Sequence, residues 1–170
     1  MKNIALIGFM GAGKSTVAEL LAKRLNATLV ETDMEVLRLS GFPSVNSVFD
    51  TEGEEYFRTL EQEAIRESVK LGNCVISCGG GVINSAQNIE ILKGNAFIVF
   101  LHASFTSIKQ RLKNTDTRPL FRQEEKATLL YAYRLPLYKQ CANLIIDTDD
   151  KKPEDIIKVI LEKYKLANGN

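Results

Sequence analysis

Gly8-Phe9-Met10-Gly11-Ala12-Gly13-Lys14-Ser15-Thr16 has the form G-x-x-x-x-G-K-[ST], the spacing of a phosphate-binding P-loop. Glycines let the backbone curl until successive N–H groups converge on one phosphate. Lys14 would reach the β- and γ-phosphates, and the Ser15 hydroxyl would ligate Mg²⁺. Gly11, Ala12, Gly13, Lys14, Ser15 and Thr16 are therefore the expected nucleotide cradle. A Gly-rich turn with an incidental lysine would carry the same letters, so context decides. Asn3 to Ile7 reads as a buried strand before the loop, and Val17 to Leu25 as an amphipathic helix after it. Strand, loop and helix in that order are what the motif requires, and the helix N-terminus itself favours an anion.

Two further clusters carry chemistry-bearing residues. Glu31-Thr32-Asp33 and Ser77 to Gly81 each follow an apolar run. Stepping along the chain, strands are expected at Asn3–Ile7, Ala27–Thr32, Cys74–Ser77, Ala96–Leu101 and Leu144–Asp147. Helical periodicity fills the intervals. The longest helix is expected from about Glu52 to Leu71, with Phe57, Leu60, Ala64 and Val69 near one face. Ile156, Ile157, Ile160, Leu161 and Tyr164 form the stripe of the last helix. Strands alternating with helices predict an α/β fold: a three-layer α/β/α arrangement around a five-stranded parallel sheet. Ligands of such sheets bind beyond the carboxyl ends of the strands, where the P-loop and both clusters would lie. The polar run Lys113 to Gln123 separates two helices. It is expected to be either a surface loop or a lid, at about residues 112–125, that excludes water from phosphoryl transfer.

Composition sets outer bounds. The chain has 170 residues, of which 45% are hydrophobic and 25% charged, so one domain over residues 1–170 is expected. A formal net charge of +1 gives no reason to expect a nucleic-acid or membrane-surface binder. No apolar run approaches a membrane span. Lys2 followed by Ile4 to Met10 is not a signal peptide on this reading, because cleavage would fall inside the phosphate loop. Cys74, Cys78 and Cys141 lack the spacing of ligand pairs, and reduced buried thiols in a cytoplasmic protein are expected.

The order and spacing of these pieces resemble the shikimate kinases, small P-loop enzymes related to the nucleoside monophosphate kinases. The likeness runs from Ile4 to about Tyr164. Its carriers are the phosphate loop, Thr32-Asp33, Phe49 with Glu52-Gly53-Glu54 and Phe57-Arg58, Gly79-Gly80-Gly81, Arg118-Pro119-Leu120, and Arg134-Leu135-Pro136-Leu137-Tyr138. The resemblance implies transfer of the ATP γ-phosphate to the 3-hydroxyl of shikimate, on the route to chorismate and the aromatic amino acids. ATP and shikimate would be the partners, Mg²⁺ the metal, and the enzyme a monomer.

Residue roles follow from the same resemblance. Arg58 and Arg134 would clamp the substrate carboxylate, for which a planar guanidinium is suited. Gly79, Gly80 and Gly81 would offer backbone N–H groups. Asp33 would accept the reacting hydroxyl, and Phe49 and Phe57 would wall the ring. These groups belong to substrate-binding helices over about residues 33–61. Lys14, Asp33 and Arg118 would be the catalytic set, with Arg118 as the lid's positive charge. Arg111 would stack on adenine, and the Lys151-Lys152-Pro153 turn would border it, with Pro153 in contact. Glu31 stands where the family usually has Asp; it and Asp33 would meet Mg²⁺ through water. Glu61 would orient Arg58. His102 matches no catalytic position.

Plainer roles remain open for the same residues. Arg58 with Glu54 and Glu61 fits a surface ion-pair rung. Asp33 fits a helix cap. Arg134 fits a helix-surface charge, and Gly79 to Gly81 a flexible turn. At the level of function, a kinase for another small polyol acid such as gluconate, and a non-catalytic nucleotide-binding regulator, are the alternatives.

Overall fold

The computed structural model describes residues 2–112 and 124–169. Five strands form one parallel sheet: β1 Asn3–Ile7, β2 Thr28–Glu31, β3 Cys74–Ser77, β4 Ala96–His102 and β5 Leu144–Asp147. Their order is β2-β3-β1-β4-β5. β1 thus lies between β3 and β4, with Leu6 opposite both Ser77 and Val99. All five residues of β1 and all four of β3 are buried, as central strands covered on both faces must be. The strands stand where the hydrophobic runs predict. The last one or two residues of some ends differ; Thr32, for example, opens a helix rather than closing β2.

Seven helices among the described residues flank the sheet: α1 Lys14–Leu25, α2 Thr32–Ser40, α3 Val45–Lys70, α4 Ala86–Asn95, α5 Phe105–Leu112, α6 Glu124–Cys141 and α7 Pro153–Ala167. Ile156, Ile157, Ile160 and Tyr164 of α7 join Val17, Leu21 and the β-strand side chains in the main core. Each such side chain withdrawn from water contributes about 1.5–3 kcal/mol. No helix among the described residues is long and apolar enough to cross a membrane.

The long helix departs from expectation. It begins at Val45, seven residues earlier than the periodicity indicates. Ser44 and Ser47 cap it reciprocally: each backbone N–H donates to the other's hydroxyl at 3.1 Å. A capping box usually shows Glu or Gln at its third position, so Ser there is easily passed over. Gly53 then breaks the helix, with φ 84° and ψ 176°, a region open essentially to glycine alone. The kink folds the first turns of α3 back toward α2. A second, smaller apolar centre results, built from Val36, Val48, Phe57 and Ala64 with Leu37, Phe42, Val45, Phe49 and Leu60 packed on it.

Candidate active site

The loop between β1 and α1 follows the phosphate-loop expectation. α1 starts at Lys14 after Gly13, which has no side chain to cap the helix and lies in the left-handed region. Lys14 Nζ donates to the carbonyls of Gly8 and Phe9 at 2.9 and 3.0 Å, curling the loop around its own lysine. Ala12 is buried, Gly11 and Gly13 half-buried, and Ser15 and Thr16 open to solvent on the first turn.

Arg111 on α5 ties the loop to the far side of the sheet. Its Nη1 donates to Gly11 O at 3.2 Å and to Thr148 Oγ1 at 3.3 Å, and its Nη2 donates to Thr148 O at 2.9 Å. Thr148, just past β5, is buried. The exposed guanidinium is thereby held in a fixed plane next to the phosphate loop. Pro153 occupies the first position of α7, and Lys151 and Lys152 in the turn before it are exposed. Lys151 donates to Asp147 O at 2.8 Å. Arg118 and the expected lid core at 113–123 lie outside the described residues.

A second cluster assembles at the ends of β2 and β3. Glu31 ends β2 and is the N-cap residue of α2, without a side-chain cap bond. Asp33 sits one residue inside α2, exposed. The capping role open to Asp33 in the sequence is therefore excluded. Thr32, buried between them, accepts a hydrogen bond from the Gly79 N–H at 2.8 Å. That bond locks the glycine run against α2, a function with no mark in the sequence. A Cβ on Gly79 would lie 2.5 Å from Asp33 Oδ1 and 3.3 Å from Glu61 Oε1. One on Gly81 would lie 2.5 Å from Arg58 Nη2. The three glycines are thus a close approach of backbone to a carboxylate and a guanidinium, and not a flexible turn.

Arg58 is half-buried. Its Nη1 donates to Glu61 Oε2 at 2.9 Å, and its Nη2 to Glu54 Oε1 at 3.1 Å. Glu54 is exposed, but Glu61 has no solvent exposure, so the surface-rung reading fails on one of its two partners. Burial drives the Glu61 carboxyl up from its ordinary pKa. Pairing with Arg58 pulls the other way and is outweighed. Arg58 itself is raised: burial opposes its charge, and the field of Glu61 overcomes it. The geometry favours a charged pair, since Glu61 Oε2 also receives Asn88 Nδ2 at 3.4 Å. Asn88, fully buried on α4, has no sequence signal for this role.

Arg134 on α6 is buried too, and burial lowers its pKa. Its Nη1 would lie 3.5 Å from a Cβ on Gly80. A buried arginine on α6 and a half-buried one on α3 thus flank the three glycines, which overturns the surface-charge reading of Arg134. Phe49 and Phe57 stack with centroids 4.5 Å apart, and Arg58 Cζ lies 5.2 Å from the Phe57 ring. Phe57 belongs to the α2–α3 core while Phe49 is half-buried. His102 ends β4 and its Nε2 lies 3.2 Å from the Tyr131 hydroxyl, a structural placement.

A nucleotide cradle and an acid-and-guanidinium cluster therefore share the carboxyl end of one sheet, flanking the loop after β1. The family model described as shikimate kinase matches residues 10–165, nearly the whole chain. The chain belongs to the shikimate kinase family. It is an ATP-dependent kinase of that family. A shikimate kinase of Caldicellulosiruptor bescii is 41% identical over 169 residues, covering 96% of this chain and 98% of the relative. The solved shikimate kinase of Acinetobacter baumannii, in complex with shikimate, superposes with a TM-score of 0.90 at 34% identity, over 99% of this chain and 94% of that one. The shikimate kinase of Aquifex aeolicus gives a TM-score of 0.85 at 34% identity, with 99% of each chain covered. The shikimate kinase match takes in the P-loop, the α2–α3 unit, the triple glycine and α6 together.

Proposed function

We propose that the protein transfers the γ-phosphate of ATP to the 3-hydroxyl of shikimate, giving shikimate 3-phosphate and ADP. The observation that carries this reading is the packing of Asp33 and Arg58 against Gly79 and Gly81, next to the phosphate loop. A small hydroxylated acid needs a carboxylate clamp at one end and a hydroxyl acceptor at the other. Arg58 and Arg134 supply the clamp, Asp33 the acceptor, and the stacked Phe49 and Phe57 an apolar wall. The complex of the Acinetobacter baumannii relative with shikimate supports the same acceptor here.

In the reaction the hydroxyl oxygen attacks the γ-phosphorus while the bond to the ADP oxygen breaks. Asp33 orients the hydroxyl and takes its proton, and Lys14 with the α1 N–H groups stabilises charge on the transferring group. Arg118 adds a further positive charge on this reading, and Arg111 and Pro153 hold the base. The donor set suits Mg²⁺. Ser15 offers a hydroxyl, and Asp33 and Glu31 offer carboxylates to waters, while the described residues hold no cluster of three or more acidic, histidine or cysteine ligands. Mg²⁺ takes one or two protein oxygens, its own waters and the nucleotide phosphates. Bound there it would neutralise phosphate charge. Free, buried Cys74 and Cys78 support a reducing, cytoplasmic setting.

The test is an acceptor panel with Mg-ATP, reading ADP release with shikimate, gluconate and nucleoside monophosphates. Shikimate is expected to drive turnover well above every other acceptor. Background turnover with shikimate would end this reading, and gluconate-dependent turnover in its place would assign the site to another polyol acid.

A further inference from the structure

Tyr138 lies one helical turn beyond Arg134 on α6, on the same face. Its ring is buried and stacks on Phe100 of β4, centroids 5.0 Å apart and planes 19° from parallel. Its hydroxyl donates to the Gly80 carbonyl at 2.5 Å. A phenylalanine would fill the same space, so packing alone does not require the oxygen. A buried phenol needs a partner for its O–H, and here that partner is the middle of the glycine run. Burial raises the phenol pKa well above its ordinary value, so the donor proton is retained across the working range of the enzyme.

The geometry has a consequence one bond away. The Gly80 carbonyl and the Gly81 N–H belong to one planar trans peptide, in which they point in opposite directions. Anchoring the oxygen on the Tyr138 side fixes the N–H on the other edge. The Gly81 α-carbon lies against the Arg58 guanidinium, and Gly80 lies against Arg134. Three glycines in succession have little intrinsic preference to hold a peptide plane, so an external anchor is needed. The anchor is rigid, because Tyr138 is clamped between its own helix and a central strand.

We infer that Tyr138 is a positioning residue for the acceptor: its hydroxyl holds the Gly80–Gly81 peptide so that the Gly81 N–H joins Arg58 and Arg134 in binding the substrate carboxylate. This rests on the acceptor reading of that cluster given above. It adds a residue that touches neither substrate: its hydroxyl holds the Gly80 carbonyl and also pairs with Arg134 of the clamp.

Tyr138→Phe in the full-length enzyme tests it, because the ring and its stacking remain and only the hydroxyl goes. The KM for shikimate is expected to rise about five- to tenfold, the scale of one buried carbonyl left unpaired. The KM for ATP should stay near wild type, and the melting temperature should fall by only a few degrees, as in the control below. Tyr164→Phe is the control. It removes a comparable phenol-to-carbonyl bond, to Lys2 O at the far side of the sheet, and should leave the shikimate KM unchanged. An unchanged shikimate KM in Tyr138→Phe overturns the inference while leaving the substrate assignment intact. Equal rises in both KM values would make Tyr138 merely structural and also overturn it. A wild-type enzyme without shikimate-dependent turnover overturns both readings.

Discussion

Glu61 is buried, yet it pairs with Arg58, which on the reading proposed above also binds the substrate carboxylate. Its surroundings pull in both directions. Burial raises its pKa, Arg58 lowers it, Asp33 on α2 raises it, and Arg134 on α6 lowers it, with a net rise. The sign of the consequence is fixed by that direction. As pH falls from neutrality, Glu61 takes up its proton above the range of an exposed glutamate near pH ~4.3. The charged carboxylate burdens the folded state above that pH, and the burden is lost as pH drops through it. Protonation also removes the partner that aims Arg58. We expect the acid limb of kcat/KM for shikimate to lie above the ordinary carboxylate range in the wild type. In Glu61→Gln that limb should move to lower pH, with kcat/KM at neutral pH down about tenfold or more and the KM for ATP unchanged. Steady-state kinetics across pH would check this, and a limb that stays in place would belong to another group. The sequence placed Glu61 near Arg58 by its three-residue spacing. It gave no sign of complete burial, because that depends on α4 and Asn88 lying over it.

At the scale of elements, the α2–α3 unit is the part that the proposed reading assigns to the acceptor. Its small apolar centre is separate from the sheet core, and the kink at Gly53 lets Phe49 fold back onto Phe57. A Cβ at Gly53 would meet no atom within 4 Å, so any cost of substitution there is conformational and not steric. Gly53→Ala should therefore lose about 1–3 kcal/mol of stability, lowering the melting temperature by roughly 2–10 °C. The shikimate KM should rise with it as the two rings separate, while nucleotide affinity holds. Thermal melts with paired KM measurements decide the matter, and a variant as stable as wild type would mean that the kink carries no strain. The strands were legible in the sequence because each is a short apolar run between polar breaks. The start of α3 was not, since a Ser–Ser capping box and a glycine of unusual φ leave little trace in hydrophobic periodicity.

For the whole molecule, the parallel sheet is what brings distant segments to one edge. Gly11 meets Arg111 across a hundred residues, and Asp33 meets Gly79 across forty-six. On the proposed reading Mg²⁺ serves the reaction rather than the fold. Removing divalent metal with EDTA should reduce turnover to background and excess Mg²⁺ should restore it, with no measurable change in the melting temperature of the nucleotide-free protein. A large loss of stability would instead reveal a structural ion. The sequence by itself determined the strands and the loop between β1 and α1, because these depend on local pattern and on residue type. It could not decide between an exposed ion-pair rung and a half-buried pairing with Glu61 at Arg58, between a helix cap and a position inside α2 at Asp33, or between a flexible turn and a close approach to side chains at Gly79 to Gly81. Tertiary structure decided those, through Thr32, Asn88 and Tyr138. Burial and the direction of a peptide plane are set by what packs on a residue from elsewhere, and the P-loop gains a definite partner site only when the sheet closes that distance.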